Sequence, residues 1–222
     1  MRGGGTILGW WLKGALLCVF FAALPVVAAD ISTELSEGEV LFVKALQGDK
    51  RALRRAQRKF RMAEQKHPDH PLVNAYLGAL IALQGRDASR AVEKSRLVDQ
   101  ALVKMDAALQ STVNHPNDVV VVLETKLVVA RTQVNLPPFF NRLIEGRRLV
   151  EEVMADKFFS VMPAHFQAAA YMTAAQYADK QNRDDESKRY LALAMGVAPE
   201  SLEAQQARYL LRQMEGGVLT SR

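Results

Sequence analysis

Apolar residues recur at three- and four-residue spacing along most of this chain, and the pattern is clearest between Leu72 and Arg142. That stretch reads LVNAYLGALIALQGRD, then a long amphipathic segment to His115-Pro116, then DVVVVLETKLVVARTQVN, then LPPFFNR. Such spacing gathers the apolar side chains on one face of a helix, so helices are predicted rather than strands. The run VVVVL at 119–123 has the composition of a buried strand. It continues as ETKLVVARTQV at helical spacing with no turn signal between, and a helix is expected there too. Breaks fall at Gly48-Asp49, HPDHP (67–71), Gly85, HPND (115–118), LPP (136–138), Met162-Pro163, Asn182 to Asp184, and Pro199. About nine helices, mostly of roughly 12–20 residues, fit between these breaks, a length common in paired helices. The expected fold class is all-α.

Internal repetition narrows the architecture. Ala56, Phe60, Ala63 and Pro68 share their spacing with Ser187, Leu191, Ala194 and Pro199, the latter preceded by Tyr171, Ala174, Ala175 and Ala178. Small residues let paired helices approach, one large residue fills the gap between them, and proline ends the unit. The pattern resembles the tetratricopeptide repeat, a helix–turn–helix unit of about 34 residues. Leu77, Gly78, Ile81 and Ala82 match its first helix in the central unit, and Ala101, Met105 and Ala108 match its second. About eleven extra residues around Ser89 to Gln100 separate those halves, and the 117–160 unit is too degenerate to fix a register. Arg86-Asp87 after the first helix and the downstream LPPFFNR together resemble a family of exported bacterial tetratricopeptide-like proteins with no assigned enzymatic activity. The resemblance implies a right-handed superhelix of about four hairpins over 30–215, closed by a C-terminal capping helix near 199–214, with a frayed tail at 216–222. Gly78 would be the small residue of the central helix contact, where leucine should overpack and alanine should be mild.

The first 29 residues read differently. Arg2 and Lys13 precede an almost wholly apolar stretch from Gly14 to Leu24, Pro25 breaks it, and Val27-Ala28-Ala29 offers small residues before Asp30. That order describes a signal peptide cleaved after Ala29, giving a periplasmic or secreted protein. The alternative is an uncleaved inner-membrane anchor over Ile7 to Ala29. Cleavage would remove Cys18, the one cysteine, leaving no disulfide and no thiol chemistry. The 29 basic residues would fall to 27 against 24 acidic ones, a balance of only +3.

Candidate chemistry is sparse. His67, Asp69 and His70 stand close in sequence and have metal-compatible donors, but a turn between repeats explains them equally and no further ligand is near. Arg51, Arg54, Arg58 and Arg61 line the side of a helix opposite Leu53, Ala56, Phe60 and Ala63. Such a stripe is either a solvated outer face or a peripheral contact for an anionic membrane. Nucleic acid is not expected, because aromatics are not interleaved with the charges. Arg86, Asp87 and Arg131 border apolar helices, as a polar pocket or as structural ion pairs and helix-end bonds. Pro137, Pro138, Phe139 and Phe140 read as a rigid turn whose rings plug the neighbouring hairpin. There is no nucleophile elbow, phosphate loop or positioned carboxylate pair, so neither catalysis nor a cofactor is expected. With Gly78 as the small position, the concave face would carry Leu72, Ala75, Ala79, Ala82 and Leu83. This apolar strip would be either open to a partner or covered by the helix around Val40, Leu41 and Val43. The expected function is a non-catalytic protein-interaction scaffold, or alternatively a carrier of an apolar small molecule.

Overall fold

A computed structural model describes residues 31–219 of the 222. The signal or anchor segment expected at 1–29 lies outside the described residues. Among these there are nine α-helices and no strand: α1 (Ile31–Leu46), α2 (Lys50–Lys66), α3 (Pro71–Asp87), α4 (Ala91–Ser111), α5 (Val119–Gln133), α6 (Leu143–Ala155), α7 (Ala164–Lys180), α8 (Asp184–Val197) and α9 (Leu202–Leu219). Short 3₁₀ turns stand at Thr112–Asn114, Pro138–Phe140 and Phe159–Val161. No described helix is long and apolar enough to cross a membrane.

The breaks act through identifiable backbone chemistry. Gly48 supplies the left-handed turn (φ +96°) after α1, and the Asp49 carboxylate then caps α2, accepting from the amides of Arg51 (2.8 Å) and Ala52 (3.0 Å). Pro71 opens α3 at a position whose amide would have had no partner. Asp118 accepts from the Val121 amide at 3.1 Å and starts α5, so VVVVL is the first turn of a helix. Asp184, Asp185 and Glu186 fill the first turn of α8, where the helix dipole favours negative charge.

Three sequence expectations change. Gly85 does not end its helix: it is buried in the last turns of α3, where an added Cβ would lie 3.3 Å from Leu97 Cβ. The residues that looked like an insertion are absorbed into the 21-residue α4, which runs alongside α3. Gly216-Gly217 does not end α9, which continues to Leu219.

Each helix packs on the next, forming the pairs α1/α2, α3/α4, α5/α6 and α7/α8, with α9 against α8 and α7. A second set of contacts joins α1 to α3, α3 to α5, α5 to α7 and α7 to α9, so alternate helices form one continuous row. The repeated small residues lie inside the pairs: Ala56, Phe60 and Ala63 on α2, and Ala174, Ala175, Ala178, Ser187, Leu191 and Ala194 on α7 and α8, are all buried. At Gly78 an added Cβ would meet Met105 Cγ at 2.6 Å and the Ala101 carbonyl oxygen at 3.0 Å. A backbone oxygen cannot swing away as a side-chain end can, so the expected mildness of alanine there is corrected. Gly146 is tighter still, its hypothetical Cβ falling 1.8 Å from the Tyr177 hydroxyl.

Candidate functional site

The row of alternate helices leaves a groove along one side, and all five contribute to its walls. Its first compartment is a cleft of about 420 Å³. Glu39, Val40 and Val43 of α1 form one wall, Glu124, Leu127 and Arg131 of α5 the opposite one, and Tyr76 of α3 lies between them. His165 and Phe166 of α7 and Glu203 of α9 close the end. A second cavity of about 320 Å³ adjoins it, edged by Ala79, Ala82, Leu83 and Arg86 of α3 with Thr132, Asn135, Gln176 and Gln206. Phe42 and Arg131 border both compartments.

The electrostatics of the first compartment are unbalanced. Arg131 is taken by Glu203 at 3.4 Å, a pair largely shielded from solvent. Glu39 and Glu124 have no ion pair or hydrogen bond with any described residue. Burial pushes the Glu124 carboxyl up to about 7, with further contributions from Glu39 and Asp118. Burial also raises Glu39. Tyr76 is 9% exposed, its ring stacked on Phe60 (4.7 Å) and edge-on to Phe42 (5.1 Å). Its hydroxyl has no hydrogen-bond partner among the described residues. Burial, then Glu39 and Glu124, raise its phenol well above the usual range.

The residues singled out from sequence distribute unevenly around this groove. Leu72, Ala75 and Ala79 are buried, Ala82 is 8% exposed, and Leu83 is half-buried. The strip is therefore largely packed, with only Ala79, Ala82 and Leu83 reaching the edge of the second cavity. Of the covering helix, Leu41 is buried, whereas Val40 is 57% exposed. Arg86 binds Asp87 (2.9 Å) and donates to the carbonyls of Leu46 (3.2 Å) and Ala45 (3.3 Å). The helix end it caps is that of α1, a favourable place for a cation.

LPPFFNR divides its work. Phe140 packs on the core, while Phe139, its ring tilted against it at 4.4 Å, is 70% exposed. Successive residues of a 3₁₀ turn point about 120° apart, so only one ring can enter the hairpin, and the expectation that both plug it is corrected. Arg142 grips Asp106 through two bonds (2.8 and 3.2 Å) and also pairs with Glu145, fixing the start of α6 against α4. Pro137 and Pro138 are exposed.

Arg51, Arg54, Arg58 and Arg61 stand on the exposed side of α2, away from the groove, and none has an ion pair among the described residues. The His70 ring lies 6.4 Å from that of His67 and 5.5 Å from that of His115, measured between centroids. No group of three or more metal-capable side chains converges among the described residues.

Sequence reasoning passed over Glu39, Tyr76, Glu124 and Glu203, and weighed His165 only as a histidine near a junction. One signal was available: Glu124 is the lone acid of VVVVLETKLVV and stands seven residues before Arg131, two turns along the same helix face. The others converge only through helix stacking, which spacing within a single helix does not encode. Comparison with family models, with curated proteins and with solved structures found no match to this chain.

Proposed function

We propose that this chain is an exported, non-catalytic helical-repeat scaffold of the tetratricopeptide-like, right-handed superhelical kind, and that it takes hold of a protein partner in the groove along its alternate helices. The observation that carries this reading is the groove itself, to which five helices from distant parts of the chain contribute walls, with Glu39 and Glu124 unpaired in its more apolar compartment. Repeat arrays commonly recognise partners on such a surface. The repeated small-residue spacing and the row of alternate-helix contacts support the repeat assignment. Export to the periplasm or cell exterior is inferred from the order of basic, apolar and small residues before Asp30. The exposed arginines of α2 point away from the groove and suit peripheral contact with an anionic membrane surface.

The test is in-cell photo-crosslinking from Asn135 and Gln206 in the groove, with Arg58 on the outer side of α2 as the control. Discrete polypeptide adducts from the groove positions alone are expected. Native mass spectra of purified protein carrying a stoichiometric lipid, without such adducts, would replace the scaffold by a carrier of an apolar small molecule. N-terminal sequencing should begin at Asp30; Met1 recovered on membrane-bound protein would establish an anchor instead.

A further inference from the structure

The first compartment of the groove holds more negative charge than the fold uses. Glu39, Glu124 and Glu203 face it from α1, α5 and α9, while its basic side chains are the Arg131 guanidinium and the His165 imidazole. Glu203 takes Arg131. The other two carboxylates, both partly buried, share the cleft with Val40, Val43, Leu127 and Phe166, where an uncompensated charge is costly. Beside them is Tyr76, a residue nine-tenths buried that lines the cleft and whose hydroxyl makes no hydrogen bond with a described residue.

We propose that this cleft receives a primary ammonium group carried on an apolar stem, with Glu39, Glu124 and the Tyr76 oxygen accepting its three N–H bonds. The match is one of number as well as charge: an alkylammonium has three donors and no acceptor, and the cleft presents three acceptor groups from three helices. The apolar walls suit the methylene stem, as pockets for amphipathic side chains do. The same head group occurs on a lysine side chain of a partner segment and on a free alkylamine. This assignment rests on the groove being a recognition surface and specifies its chemistry.

An entering cation would draw the Glu124 carboxyl down from about 7, so binding strengthens as pH rises through that region. Glu39, Tyr76, Asp118, Arg131, His165 and Glu203 are the other titratable or charged groups facing it or acting on it.

Calorimetric titrations of the purified full chain at pH 8 and low salt would use n-hexylammonium against n-hexanol, and the peptide Ac-Leu-Lys-Leu-NH₂ against its norleucine counterpart. The cationic probes should bind at least about tenfold more tightly than the neutral ones, and Glu124→Gln or Glu39→Gln should each lose about tenfold, as loss of a charge-assisted bond implies. Glu124→Gln relieves a buried charge, so its lost binding would not reflect unfolding, and Tyr76→Phe should lose severalfold at an unchanged melting temperature. Tighter binding of the lysine peptide assigns a partner segment, and tighter binding of hexylammonium a free amine. Equal affinity for hexanol, or full binding by Glu124→Gln, overturns the proposal. Because Asn135 and Gln206 border the other compartment, crosslinking from them reads the scaffold function separately: either result can fail while the other stands.

Discussion

Replacing Gly146 by alanine tests the packing of the α5, α6 and α7 junction most directly. The added methyl would fall 1.8 Å from the Tyr177 hydroxyl and 2.8 Å from both Tyr177 Cζ and Gln133 Oε1. Tyr177 is fully buried and donates to the Ala130 carbonyl at 2.7 Å, so its ring has nowhere to retreat without breaking that bond. Overpacking costs about 1–3 kcal/mol. A stranded phenol adds about 1–3 kcal/mol, and the better helix propensity of alanine returns roughly 1 kcal/mol. The net expectation is a loss of about 2–4 kcal/mol, or on the order of 5–12 °C in melting temperature for a domain of this size. Tyr177→Phe removes the closest atom and leaves Cζ, so the double variant should recover part of the loss and show at least about 1 kcal/mol of favourable coupling in a double-mutant cycle. The assay is urea unfolding followed by circular dichroism on all four proteins. Strict additivity, or a Gly146→Ala variant as stable as the parent, would refute the claim that the hydroxyl and the glycine share one space.

Other perturbations test the remaining features. Gly78→Ala should destabilise by about 1–2 kcal/mol, because Ala101 opposes the new methyl with backbone; an unchanged urea midpoint would show that α3 and α4 separate freely. Glu124 has a folded pKa above its unfolded value, so the native state holds the extra proton and stability falls as pH rises from the ordinary carboxylate range to about 7, then stays at the lower level. The fall is on the order of 3 kcal/mol at most and should be largely absent in Glu124→Gln when melting is followed between pH 5 and 8. Reversing Arg51, Arg54, Arg58 and Arg61 to Glu should leave the helical circular dichroism unchanged and abolish sedimentation with phosphatidylserine vesicles at low salt; binding that survives would exclude α2 as the membrane contact.

Most helices were readable because their breaks combine a stop with a start, as Gly48 with Asp49 and Pro68 with Pro71 do. The small-residue spacing also marked the surfaces that pair, since Ala56, Ala63, Ala174 and Ala194 must be small wherever their helices cross. Gly85 misled because glycine ends helices and also permits close approach, and only the position of Leu97 distinguishes the two. Phe139 misled because two adjacent aromatics look alike in sequence, while a 3₁₀ turn offers only one of them to the core. The acid cleft was largely illegible. Glu39 and Glu203 are ordinary helix charges by spacing alone, and what makes them a pair of walls is stacking across more than a hundred intervening residues.

The reach of that groove along the chain has a consequence for how the protein is made and degraded. Most packing joins neighbouring helices, so hairpins can form as they emerge, whereas the groove needs Glu39 at one end and Gln206 at the other. A product clipped before Leu202 would keep its paired helices, lose the α9 wall of the groove, and leave the Arg131 guanidinium without its carboxylate. Such a fragment would still look folded to a spectrometer while its groove is open on the α9 side. Occupancy of the groove would therefore certify an intact chain, and a bound ligand would favour the molecule in which the last helix has docked.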